Sequence, residues 1–162
     1  MKNYKWILIL LNLALLLMYF NYSVVKKEEL IKDGQLVLLE LAPADPRSLM
    51  QGDYMALRYK ISENVRLENL PKRGYCVVVL DQNNRAKSVR IQPESTPLYK
   101  GEHLIKYTST NNWSINIGAE SFFFQEGKAD LYNNAKYGGV KIDQNGNSIL
   151  IGLYDDHLRE IK

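Results

Sequence analysis

Between Trp6 and Val25 the chain runs for 20 residues without a charge, WILILLNLALLLMYFNYSVV. Wound as a helix, such a run rises about 30 Å, which matches the hydrocarbon core of a bilayer. Leu and Ile dominate its centre, and Asn12 and Asn21 are its polar interruptions. Lys2 and Lys5 precede it, and Trp6, Tyr19 and Tyr22 lie near its ends, where amphipathic rings favour the headgroup level. The expectation is an uncleaved signal-anchor over residues 1–27 that meets the bilayer through residues 6–25. Its N-terminus is cytoplasmic, and residues 28–162 form one domain on the far side.

Lys26 and Lys27 oppose that orientation, but Glu28 and Glu29 follow at once and the remaining chain is long enough to translocate. A cleaved signal peptide is the competing reading, because the strongest part of the run, Trp6 to Phe20, spans only 15 residues. Bulky residues in YFNYSVV stand where a signal peptidase needs small ones, which favours the anchor.

Separating the anchor changes the meaning of the charge. The chain has 21 Lys and Arg against 18 Asp and Glu. Lys2, Lys5, Lys26 and Lys27 belong to the anchor and its flanks, and every acid lies beyond them. The outer domain thus carries 17 basic and 18 acidic residues, a net charge of −1. Binding a phosphate backbone needs clustered positive charge, so no nucleic-acid partner is expected. Cys76 is the single cysteine. An internal disulfide is therefore excluded, and Cys76 in YCVVVL reads as a small core hydrophobe.

The outer domain has the period of strands. Segments expected to be extended are Gln35 to Leu41, Tyr54 to Ile61, Tyr75 to Leu80, Ala86 to Gln92, His103 to Thr108, Trp113 to Gly118, Tyr137 to Asp143 and Asn147 to Tyr154. DQNNR and DQNGN read as hairpin loops, the second with a tight primed turn at Asn145-Gly146. EGKADLYNNAK, from Glu126, reads as one short helix. The fold class expected is mostly β: a single antiparallel domain, sandwich or barrel-like, behind one transmembrane helix.

The stretch PADPRSLMQGDYMALRY, Pro43 to Tyr59, is the densest in chemistry-bearing residues. Asp45 suits an N-cap, Pro46 the first helical position, and Gly52 a left-handed stop, so DPRSLMQG reads as one or two helical turns. In the strand that follows, Met55, Leu57, Tyr59 and Ile61 share one face, and Tyr54, Ala56, Arg58 and Lys60 the other. The first set is expected in the core.

These residues also resemble the membrane-anchored bacterial proteins named for a GDYXXLXY motif: here Gly52-Asp53-Tyr54, Leu57 and Tyr59, preceded by Asp45-Pro46-Arg47. GAESFFFQEGKA is similar to that family's second signature, with Glu120, Phe123, Glu126 and Gly127 in matching positions. ILIGLYD resembles its closing strand. Gln51 and Gln125 stand where many members carry Arg and Pro. The resemblance implies an envelope domain on the inner membrane, facing the periplasm, encoded beside multi-pass membrane proteins. It therefore implies an accessory or binding subunit with a multi-pass partner.

Catalytic readings lack required residues. Ser48 faintly resembles the nucleophile of membrane-anchored signal peptidases, but no Lys stands in a recognisable second motif to activate it. His103 and His157 have no Cys or second His at ligand spacing, so neither a metal nor another cofactor is expected. Asp53, Glu120 and Glu126 are the acids an envelope hydrolase would use, and that is the alternative function. The favoured reading assigns no catalytic residue. It makes Arg47, Asp53, Tyr54, Arg58, Glu120, Phe122, Phe124 and Glu126 a partner-binding surface, on a structural motif of Asp45, Pro46, Gly52, Leu57 and Tyr59. Asp53 with Arg58, or Arg47 with either acid, is expected to form an ion-pair cluster holding the turn to the strand.

Overall fold

The computed structural model describes residues 3–42, 54–63, 71–111, 114–125 and 127–162. Helix α1 covers Asn3–Asp33, 31 residues, and is long and apolar enough to cross a membrane. It does not end at residue 27 but continues through Leu30, which is buried against the domain. Gly34 then turns the chain directly into strand β1, Gln35–Glu40. The turn is tight: Gly34 N–H donates to the Leu30 carbonyl at 3.0 Å, and a Cβ at Gly34 would lie 2.3 Å from that oxygen. No linker separates helix from domain.

The remaining strands are β2 Tyr54–Ala56, β3 Arg73–Leu80, β4 Ala86–Gln92, β5 Glu102–Asn111, β6 Ser114–Asn116, β7 Ser121–Phe123, β8 Tyr137–Ile142 and β9 Ser148–Tyr154. The order β1-β8-β9 forms one antiparallel sheet, β4-β3-β5-β6 a second, and β2-β7 a two-stranded ribbon. A parallel bridge between Leu38 and Arg85 joins the two larger sheets. They meet again where Lys106 N–H donates to the Gly146 carbonyl at 2.8 Å. The whole is a curled half-barrel.

Its concave side holds one apolar cluster, including Val37, Leu39, Met55, Leu57, Tyr59, Cys76, Val78, Ile105, Val140 and Leu153. Cys76 is fully buried, and burial pushes its thiol above the ordinary range, as suits a packing residue.

Three details differ from the sequence expectation. The strand at Tyr54 pairs for three residues only; the chain stays extended to Tyr59, which bridges Leu41, and then enters a 3₁₀ turn at Lys60–Ser62. The inside-outside alternation holds regardless: Met55, Leu57 and Tyr59 are buried, and Tyr54, Ala56, Arg58 and Lys60 exposed. The short helix is a 3₁₀ segment at Ala129–Asn134.

The DQNGN loop is not a primed turn, because Gly146 has φ of 80° and Asn145 has no positive φ. It is a three-residue connection, Gln144 to Gly146, whose last residue is left-handed. Among the described residues the same device occurs three times. Asp81, Asp143 and Asp155 each accept the backbone N–H groups of residues two and four places on, and Asn84, Gly146 and Leu158 take the left-handed position.

Candidate functional site

Strand β2 carries the middle of the GDYMALRY stretch and β7 that of ESFFFQE, and the fold lays them side by side. Tyr54 stands opposite Phe123, Met55 opposite Phe122, and Ala56 opposite Ser121. Leu57 N–H extends the ladder by donating to the Glu120 carbonyl at 2.7 Å. Two signatures far apart in the chain are thus one antiparallel ribbon.

The inner side of the ribbon is structural. Tyr59 is fully buried, and its hydroxyl donates to the Ala119 carbonyl at 2.5 Å. Burial, with the Glu120 charge adding, raises the Tyr59 phenol well above its ordinary range, so it is a permanent donor. The ring lies on Gly138 of β8, where a Cβ would stand 2.8 Å from Cε1. Leu57 is buried beside it.

Phe122 and Phe124 are half-buried rather than presented outward, since both pack on Tyr132 of the 3₁₀ segment, with centroids at 4.9 and 5.5 Å. Strand period explains this: 122 and 124 share a face, and 123 takes the other. Phe123, which the partner-surface assignment omitted, is 74% exposed and lies 5.8 Å from the ring of Tyr54, itself 39% exposed. Reading SFFFQ as a strand would have found it.

The polar candidates divide. The half-buried Glu120 carboxylate accepts Ile117 N–H and closes the turn after β6, in which Gly118 has φ of 81°. Glu120 therefore serves a turn, not the 3₁₀ segment. The Arg58 side chain is exposed, and its carbonyl accepts Ala42 N–H at 2.8 Å. Asp45, Pro46, Arg47, Ser48, Gly52, Asp53 and Glu126 lie outside the described residues, as does the ion-pair cluster expected of them. Among the described residues there is no group of three or more His, Cys, Asp or Glu placed to hold a metal ion.

One polar cluster has no sequence signal. Arg90 of β4 reaches across β3 to grip Glu102 of β5 with both terminal nitrogens, Nη2 at 2.8 Å from Oε2. Nη2 also donates to the Pro97 carbonyl at 2.8 Å, Tyr99 N–H donates to Glu102 at 2.9 Å, and the guanidinium lies 5.3 Å from the Tyr99 ring. Arg90's bonds, and then the Tyr99 N–H, hold the Glu102 carboxyl below the usual range. The cluster pins the 93–101 connection over the sheet.

No curated protein and no solved structure matches this chain. The model of the GDYXXLXY protein family matches residues 16–153, which include α1's second half, the ribbon and β9 up to its penultimate residue; the chain belongs to that family.

Proposed function

We propose that this is a single-pass protein of the bacterial inner membrane, with its N-terminus cytoplasmic and its β domain periplasmic, acting as a binding or accessory subunit of a multi-pass membrane protein. The observation that carries the reading is the Tyr54–Phe123 pair. Two large aromatics stand exposed on a ribbon whose other face, with Met55 buried and Phe122 half-buried, turns toward the core. Rigid, exposed aromatics are the residue type that dominates binding hot spots. The unbroken passage from α1 into β1 supports a partner in the same membrane, because it holds the domain close to the bilayer.

The test is affinity recovery of the full-length chain from membranes in mild detergent, with mass spectrometry of what accompanies it. A stoichiometric multi-pass protein, lost from Tyr54→Ala and Phe123→Ala variants that melt normally, is the expected result. Recovery of the chain alone, with a hydrolytic activity abolished by Glu120→Gln, would replace this reading with an envelope hydrolase. An alkaline phosphatase fusion after Lys162 should be active; activity only from a cytoplasmic reporter would reverse the topology.

A further inference from the structure

The C-terminal turns of α1 do not lie flat on the domain. An open cleft of about 1230 Å³ separates them from the β8–β9 hairpin and the start of β5. On the helix side it begins at Ser23 and continues through Lys26, Lys27, Glu29 and Asp33; on the domain side stand His103, Lys141 and Asp143. Leu36, Ile142 and Ile149 supply an apolar floor.

Depth points to what fills it. The uncharged run ends at Val25, so residues 26–33 rise about 12 Å beyond the hydrocarbon edge. The headgroup layer of one leaflet is about 5–8 Å thick. The part of the cleft lined by Lys26, Lys27 and Glu29 thus opens at the level of the lipid headgroups, and its far end at Asp33 stands outside them.

Its charges are of both signs. Lys141 Nζ gives one bond to the Gly34 carbonyl at 2.7 Å and has two protons to spare. The Asp143 carboxylate is taken up by Asn145 N–H, Asn147 N–H and the Asn147 amide. Lys26 lies over the Tyr22 ring at 4.5 Å. Lys26 also feels the charges of Glu29 and Asp143, so Lys26, Lys27 and Lys141 line the cleft together with the acids Glu29 and Asp33. A purely anionic headgroup would meet repulsion from the last two.

We infer that the cleft binds a phospholipid headgroup carrying both a phosphate and a primary ammonium, the phosphate at Lys27 and Lys141 and the ammonium at Glu29. The bound lipid would fix the tilt of the domain on the bilayer. This rests on the membrane-spanning reading proposed above.

The experiment is native mass spectrometry of the full chain released from nanodiscs of phosphatidylethanolamine, phosphatidylglycerol and phosphatidylcholine in equal parts. Wild type should retain one phosphatidylethanolamine per chain. Lys27→Gln and Glu29→Gln, which leave the domain's hydrogen bonds intact, should each lower that retention about fivefold. Preferential retention of phosphatidylglycerol, unchanged retention in both variants, or a protein occupying the cleft instead of lipid would overturn the inference. Carbonate washing of the source membranes separates the two layers of argument. A chain that washes off refutes the anchor and the lipid site with it, whereas one that stays but retains no lipid refutes the lipid site alone.

Discussion

Tyr59 and Gly138 meet ring to backbone: the aromatic face occupies the space in which any side chain at position 138 would begin, 2.8 Å from Cε1. The last tyrosine of the motif is therefore fitted to a glycine on another sheet. Its hydroxyl completes the fit on the Ala119 carbonyl.

From that contact, Gly138→Ala is expected to destabilise the protein by about 1–3 kcal/mol, since it overpacks a filled site. Tyr59→Phe leaves the buried Ala119 carbonyl without its donor and should cost about 1–3 kcal/mol. Leu57→Ala removes a buried side chain and should cost about 2–5 kcal/mol. Denaturant midpoints of the three variants check the order; an unchanged Gly138→Ala midpoint would place the ring elsewhere.

Phe122 and Phe123, neighbours on β7, should behave differently from each other. Phe122→Ala strips the packing on Tyr132 and should lower the melting temperature, whereas Phe123→Ala, at 74% exposure, should leave it within a degree or two. Thermal melts of the pair suffice to show whether the ribbon faces as described.

Acid should weaken the fold through Glu102. Its folded-state carboxyl is depressed by Arg90, so between the folded and unfolded values the unfolded chain binds more protons. The stabilisation is complete above the unfolded value of about 4.3 and is lost as pH falls through the lower folded value. Asp81 and Asp155, each lowered first by the backbone N–H of the arginine four residues on, act with the same sign. Stability measured by denaturant from pH 6 to pH 3 should fall, and Glu102→Gln should be less stable at pH 6 and flatter across the range. A parallel curve for the variant would remove Glu102 from the account.

Gly146→Ala should destabilise by about 1–2 kcal/mol. The position has φ of 80°, and the new Cβ would stand 3.2 Å from Leu104 Cβ and Lys106 N, where the two sheets touch. Asn84→Ala, at the equivalent place in the β3–β4 loop, has φ of 60°. It should cost less, because Asn already carries a Cβ and loses only its greater tolerance of the left-handed region, and denaturant midpoints compare the two.

What the sequence determined by itself were the features written in local periods. A 20-residue run without charge sets a helix that needs an apolar surround. Alternation sets which of Met55, Leu57 and Tyr59 against Tyr54, Arg58 and Lys60 face inward, because side chains on an extended backbone must point in turn to opposite sides. DQNNR and DQNGN mark loops by composition, but that Asp81 and Asp143 shape them, by accepting N–H groups two and four residues on, is visible only in the structure. Pairing is a different kind of fact. That GDYMALRY lies against ESFFFQE, that Tyr59 needs a glycine at 138, and that Arg90 meets Glu102 across an intervening strand all depend on how far the sheets curl. Curling is settled by the packing of the whole core, which no window of the sequence contains. The strand at Tyr54 shows the boundary between the two. Its alternation was legible for eight residues, but only three pair with β7, and Tyr59 finds a different neighbour, Leu41.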